Sequence, residues 1–125
     1  MAGIDEVTVV VPNSVVLAGD PSADPPTTMT GVIGVATGCL AVGTASESDG
    51  TPTRIRLATG AMLLDVESLR LAFDGRVALG RAKFVVSSVY GEEYLGAAIA
   101  SAAPRVRIWV DSDVEPTDVA IAVSE

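Results

Sequence analysis

Val32-Ile33-Gly34-Val35-Ala36 and Tyr94-Leu95-Gly96-Ala97-Ala98 are one short phrase written twice. Each copy is followed by a basic run, Thr53-Arg54-Ile55-Arg56-Leu57 after the first and Pro104-Arg105-Val106-Arg107-Ile108 after the second. Each is preceded by a glycine-marked run, Val16-Leu17-Ala18-Gly19-Asp20 and Val77-Ala78-Leu79-Gly80-Arg81. From Gly19 to Gly34 is 15 positions and from Gly80 to Gly96 is 16. Only the loop before the basic run differs much, and surface loops change length at little cost. The pattern reads as a duplicated β unit over 15–59 and 76–110, with Gly19, Gly34, Gly80 and Gly96 as structural glycines. Gly34 and Gly96 are expected at equivalent positions, where a side chain would block close backbone approach. Two copies are too few for a solenoid. They are expected to pair into one compact barrel or sandwich.

At 125 residues the chain is one domain, 1–125, long enough for a real core. Its 49% hydrophobic content and mean hydropathy of +0.46 exclude a disordered chain. Aromatics are only 4%, so the core is built from Val, Ala, Leu and Ile, side chains that suit tightly packed sheets. A net charge of −8, with the eight basic residues dispersed, argues against nucleic acid as a partner. Gly31 to Ala45 is the most apolar stretch and is too short and too rich in Gly and Thr for a membrane span. The start of the chain lacks the basic and apolar regions of a signal peptide. Cys39 is the only cysteine, and its apolar neighbours predict a buried, inert thiol.

Taken in order, Glu6 to Val11 is a β-branched run ended by Pro12, and Ser14 to Ala18 is a second short strand. Asp20 to Thr30 holds three prolines and reads as an exposed loop. The four glycines of Thr30 to Thr44 argue for a kinked strand pair over a helix. Strands are expected over Arg54–Leu57, from Ala61 to Val66 and over Leu69–Phe73, the last running into Asp74-Gly75, a tight-hairpin signal. Val77 to Ser87, Leu95 to Ala103 (read as strand plus turn), Arg105 to Val110 and Val119 to Val123 complete an all-β chain with little or no helix.

The chain has no histidine, which removes Ser-His and Cys-His nucleophile pairs, imidazole metal sites and the commonest general base. No catalytic residue, cofactor or metal site is therefore assigned, and the chain is expected not to be an enzyme. Asp111, Asp113, Glu115 and Asp118 read either as a calcium loop or as a solvated acidic turn, with Pro116 where an EF-hand loop needs glycine. Arg54/Arg56 and Arg105/Arg107 read as an anion grip or as the wet face of two strands. Trp109 shares the parity of Arg105 and Arg107, so it lies over arginine stems or anchors an interface.

The paired phrases, Ile33-Gly34-Val35-Ala36 with Arg54-Ile55-Arg56-Leu57 and Leu95-Gly96-Ala97-Ala98 with Arg105-Val106-Arg107-Ile108, resemble the capsid decoration, or head-stabilising, proteins of tailed phages. That resemblance implies a β-tulip-like barrel, a homotrimer, a capsid partner and a place in the virion. It also implies an N-terminal arm within 1–12 that extends a partner's sheet, so Ile4, Val7, Val9 and Val11, with Trp109, become candidate partner-binding residues. The alternative is a small ligand- or peptide-binding β module, such as a cytoplasmic bacterial immunity or accessory protein, with a pocket lined by Tyr90, Tyr94 or Trp109.

Overall fold

The computed structural model describes residues 3–60 and 64–125. Ten strands follow one another: β1 (Gly3–Val9), β2 (Val15–Gly19), β3 (Ile33–Val35), β4 (Cys39–Gly43), β5 (Thr53–Thr59), β6 (Arg70–Arg76), β7 (Lys83–Ser88), β8 (Glu93–Ala98), β9 (Arg105–Val110) and β10 (Asp118–Ser124). Among the described residues the single helical element is a 3₁₀ turn at Pro12–Ser14. The strands form two five-stranded sheets, ordered β1-β5-β10-β9-β6 and β3-β4-β2-β7-β8. Only β10 and β5 run parallel; every other neighbouring pair is antiparallel. The fold is an all-β sandwich, as the strand and turn signals predict.

The sheets share one core. From the first sheet come Ile55, Leu57, Val106, Ile108, Val110, Val119 and Ile121; from the second come Val16, Leu40, Val42, Phe84 and Val86. Alternation accounts for the choice, because successive side chains on a strand point to opposite faces. In β9 it puts Val106, Ile108 and Val110 inside and Arg105, Arg107 and Trp109 outside. Phe84 is the one fully buried aromatic; small branched side chains fill the remainder.

Several expectations change. Asp74-Gly75 is no hairpin turn: β6 runs straight through both residues, with Asp74 opposite Arg107 and Gly75 opposite Val106. Both Asp74 oxygens accept from the Arg105 guanidinium, at 2.8 and 2.6 Å, and the Phe73 ring occupies the space a Gly75 side chain would need. The strand expected from Ala61 to Val66 falls partly on 61–63, outside the described residues, and 64–66 lie in no strand. The span 15–59 holds β2 to β5, whereas 76–110 holds β7 to β9. Gly19 ends β2 but Gly80 sits ahead of β7, while Gly34 and Gly96 both lie within strands of the second sheet. The segment 1–12 is no free arm in its described part, since β1 pairs over its whole length with β5 of the same chain.

Candidate binding site

The outer face of the second sheet carries an apolar strip. The run Val15-Val16-Leu17-Ala18 turns Val16 and Ala18 inward, so Val15 and Leu17 face out. Ala41 is their neighbour on β4, paired with Leu17. Apolar residues on the outward positions of adjacent strands require a cover, and the loop after β2 supplies it.

Asp20 fixes the start of that loop. Its Oδ1 accepts from the Ser22 N–H at 2.9 Å and the Ser22 hydroxyl at 2.8 Å, and its Oδ2 accepts from the Gly80 N–H at 2.7 Å. The two glycine-marked runs therefore meet through one carboxylate. Donation from the Ser22 backbone, then from Gly80, holds Asp20 below the ordinary carboxylate range. A carboxylate whose folded pKa is depressed stabilises the fold above its unfolded pKa of about 3.9 and loses that contribution as pH falls through the folded value. Asp20→Asn is accordingly expected to lower the urea midpoint at pH 7, with the gap from wild type narrowing below about pH 4. A gap that stays constant down to pH 2 contradicts this role.

Farther along, Pro25 to Met29 form a strap. It seats over β3 because Gly34 has no side chain: a Cβ there would lie 2.7 Å from the Thr28 carbonyl oxygen and 2.9 Å from the Met29 sulfur. Between the strap and the β7 side of the sheet lies a groove of about 330 Å³. Its floor is Val15, Leu17 and Ala41; Pro25, Pro26 and Met29 line it on the strap side and Val89 on the other. No charged residue lines it. Met29 (41% exposed), Val89 (37%) and the nearby Tyr90 (74%) are three of the larger apolar side chains left open to solvent.

Asn13 closes one end of the groove. Asn13 and Ser14 both adopt left-handed backbone, φ 59° and 57°, which is uncommon outside glycine. Glu47 holds the pair in place: its Oε1 accepts from the Asn13 N–H at 2.9 Å, and its own N–H donates to the Ser14 hydroxyl at 3.0 Å. The Asn13 carboxamide then donates to the Tyr90 hydroxyl at 3.2 Å. Its Oδ1 bonds no other described residue and is an acceptor in the lining beside the Thr27 and Thr28 hydroxyls. Strained backbone of this kind recurs at ligand-binding positions.

The residues singled out from the sequence lie mostly elsewhere. Val11 is fully buried, Val7 and Val9 pack against the core, and Ile4 is exposed on an outer strand. Trp109 lies under Arg107, whose guanidinium sits 5.4 Å from the ring centroid. Arg54 pairs with Glu6 at 3.0 Å, Arg56 with Asp118 at 3.3 Å and Arg105 with Asp74, so three of the four paired arginines are neutralised within the chain. Both Asp111 oxygens turn back onto Thr117 and Asp118, and Asp113 pairs with Arg70. Among the described residues no group of three or more acidic or thiol side chains converges as a metal site would require. Tyr94 packs against the core, and burial foremost raises its hydroxyl pKa. Burial also pushes the Cys39 thiol up to about 11, which keeps it protonated. Of the three aromatics expected to line a pocket, Tyr90 alone stands beside this groove. The groove residues themselves carried a signal in the sequence: Val15 to Ala18 and Leu40 to Val42 are continuous apolar runs, the mark of strands covered on both faces.

The fold is a ten-stranded sandwich with a strapped, apolar outer face. No protein-family model and no curated protein matches it. A solved structure described as "Crocagin biosynthetic gene J" shares the fold, with a TM-score of 0.59 and 12% identity over 98% of this chain and 97% of that one. The likeness to phage capsid decoration proteins does not hold: the chain sharing this architecture is named for a biosynthetic pathway, not for a virion. The Gly, Ala and Val texture behind that resemblance is what a closely packed sandwich of any function requires. Among the described residues no helix is long and apolar enough to cross a membrane.

Proposed function

We propose that this chain is a non-catalytic binding module, an accessory protein to small-molecule biosynthesis, and that its ligand seats an apolar, uncharged body in the strap groove. The groove itself is the observation that carries the reading: about 330 Å³, no charged lining, and Asn13, Thr27 and Thr28 as its polar residues. That volume lies at the small end of the range for ligand sites, enough for a compact molecule or a fragment of a larger one. Asn13 Oδ1 selects for an N–H or O–H donor on the ligand. The absence of cations in the lining disfavours carboxylates, which would lose hydration without compensation. The biosynthetic name of the protein sharing the fold agrees with a small-molecule role.

N-acetyl-tryptophanamide is a suitable probe, having an apolar ring, amide donors and no charge. Its expected Kd is on the order of 1 mM, as for a fragment of its size. Ala41→Phe fills the floor and is expected to weaken binding at least tenfold. Asn13→Gly keeps the left-handed backbone that glycine tolerates and removes the carboxamide; a loss of roughly threefold to tenfold is expected, as for one neutral hydrogen bond. N-acetyl-tryptophan, which carries a carboxylate, should bind more weakly than the amide. Calorimetry showing equal binding by wild type and Ala41→Phe contradicts the assignment.

A further inference from the structure

Each sheet of the sandwich ends in two edge strands, β1 and β6 in the first, β3 and β8 in the second. On one side β1 packs beside β8. On the other, β3 and β6 flank an open seam containing two adjoining hollows of about 380 and 500 Å³. Val35 lines both; Ile33, Ala72 and Phe73 line the first, and Thr37 and Arg76 the second. Hydrogen bonding closes one end of the seam, where the Ala78 N–H donates to the Thr37 carbonyl at 2.9 Å.

The register shows which backbone groups face this seam. Val32 O accepts from Gly43 N, and Ala36 N donates to Cys39 O, so residues 32, 34 and 36 point to β4 while Ile33 and Val35 point away. Ile33 exchanges both of its groups with Thr30. Val35 is left with an outward N–H and C=O that have no ladder partner, and its side chain is 61% exposed. On β6, Val77 N donates to Pro104 O, so Asp74 and Arg76 are the residues whose backbone faces out. Edge strands are commonly shielded by charge or bulges, and β6 has both, a bulge at Ala72 and Asp74 and Arg76 on its edge. Val35 on β3 has neither.

Arg76 is the one charged residue lining the two hollows. Five of the eight basic side chains pair with carboxylates, but the Arg76 guanidinium holds only the Ala103 carbonyl, at 2.9 Å, among the described residues.

We infer that this seam docks a short extended segment of a partner polypeptide. The segment pairs its backbone with Val35, sets an apolar side chain against Val35 and Phe73, and presents a carboxylate to Arg76. Strand addition gives the affinity and the two side-chain positions give the specificity. The inference is independent of the strap groove, which lies on the outer face of the same sheet.

The probe is the blocked peptide acetyl-Val-Thr-Val-Asp-amide, compared with its Asp-to-Asn counterpart in ¹⁵N-resolved titrations. Amide shifts are expected at Val35, Thr37, Phe73 and Arg76, with slowed exchange of the Val35 N–H. Val35→Pro deletes an outward N–H that is no part of the β3–β4 ladder, and should weaken binding at least tenfold with the spectrum otherwise retained. Arg76→Gln should remove the preference for Asp over Asn and, being a surface change, leave folding intact. Three results overturn the inference: no shift in the seam, shifts gathered instead at Leu17 and Ala41, or an Asp preference unchanged by Arg76→Gln.

Discussion

Gly19→Ala is expected to destabilise the chain by about 3 kcal/mol or more, from strain in the backbone and a lost hydrogen bond together. Gly19 ends β2 at φ +149°, a conformation side chains rarely adopt, and an added Cβ would lie 2.4 Å from the Gly38 carbonyl oxygen. That oxygen is backbone and cannot swing aside. It also accepts the Asp20 N–H at 2.8 Å, the bond that opens the strap loop. Gly3 supplies the control: nothing lies within 4 Å of its added Cβ, so Gly3→Ala should change stability by no more than about 0.5 kcal/mol. Urea unfolding of the two variants gives the comparison. A loss below about 1 kcal/mol for Gly19→Ala contradicts the close approach of β2 to Gly38.

Phe84→Ala is expected to cost roughly 3 to 5 kcal/mol, the range for removing a fully buried ring. Phe84 is the largest of the fully buried side chains and points between the sheets from β7. Its neighbours are mainly Val, Leu and Ile held on sheets, which cannot collapse far into the space left behind. Phe84→Leu retains most of the volume and should cost under about 1.5 kcal/mol. Similar losses for the two variants would show that the site relaxes freely and that the core is less closely packed than described.

Strands whose evidence is local were legible in the sequence. Arg105 to Val110 alternates cleanly, and the glycines and β-branched residues of 30–44 separate β3 from β4. Pairing was not legible, because it joins residues far apart in the chain. The strand expected over Val119 to Val123 becomes β10 at the centre of the first sheet, between β5 and β9. Asp74-Gly75 carries the local chemistry of a turn, yet the Arg105 bond and the Phe73 ring keep it in a strand. The strap and the Asn13 end of the candidate site were hidden for the same reason, although the apolar floor was not. The proline-rich loop after Asp20 reads as exposed, and only the fold shows it crossing Gly34 to wall the groove. Likewise Asn13 acquires its place from Glu47 and Tyr90, 34 and 77 residues away.

The most direct measurement is a ¹⁵N-resolved titration of the wild-type chain with N-acetyl-tryptophanamide. The binding-module account predicts saturable shifts converging on Asn13, Leu17, Ala41 and Val89, which line the groove from three separate stretches of sequence. Shifts scattered over the surface, or none at these four positions up to the solubility of the probe, contradict it.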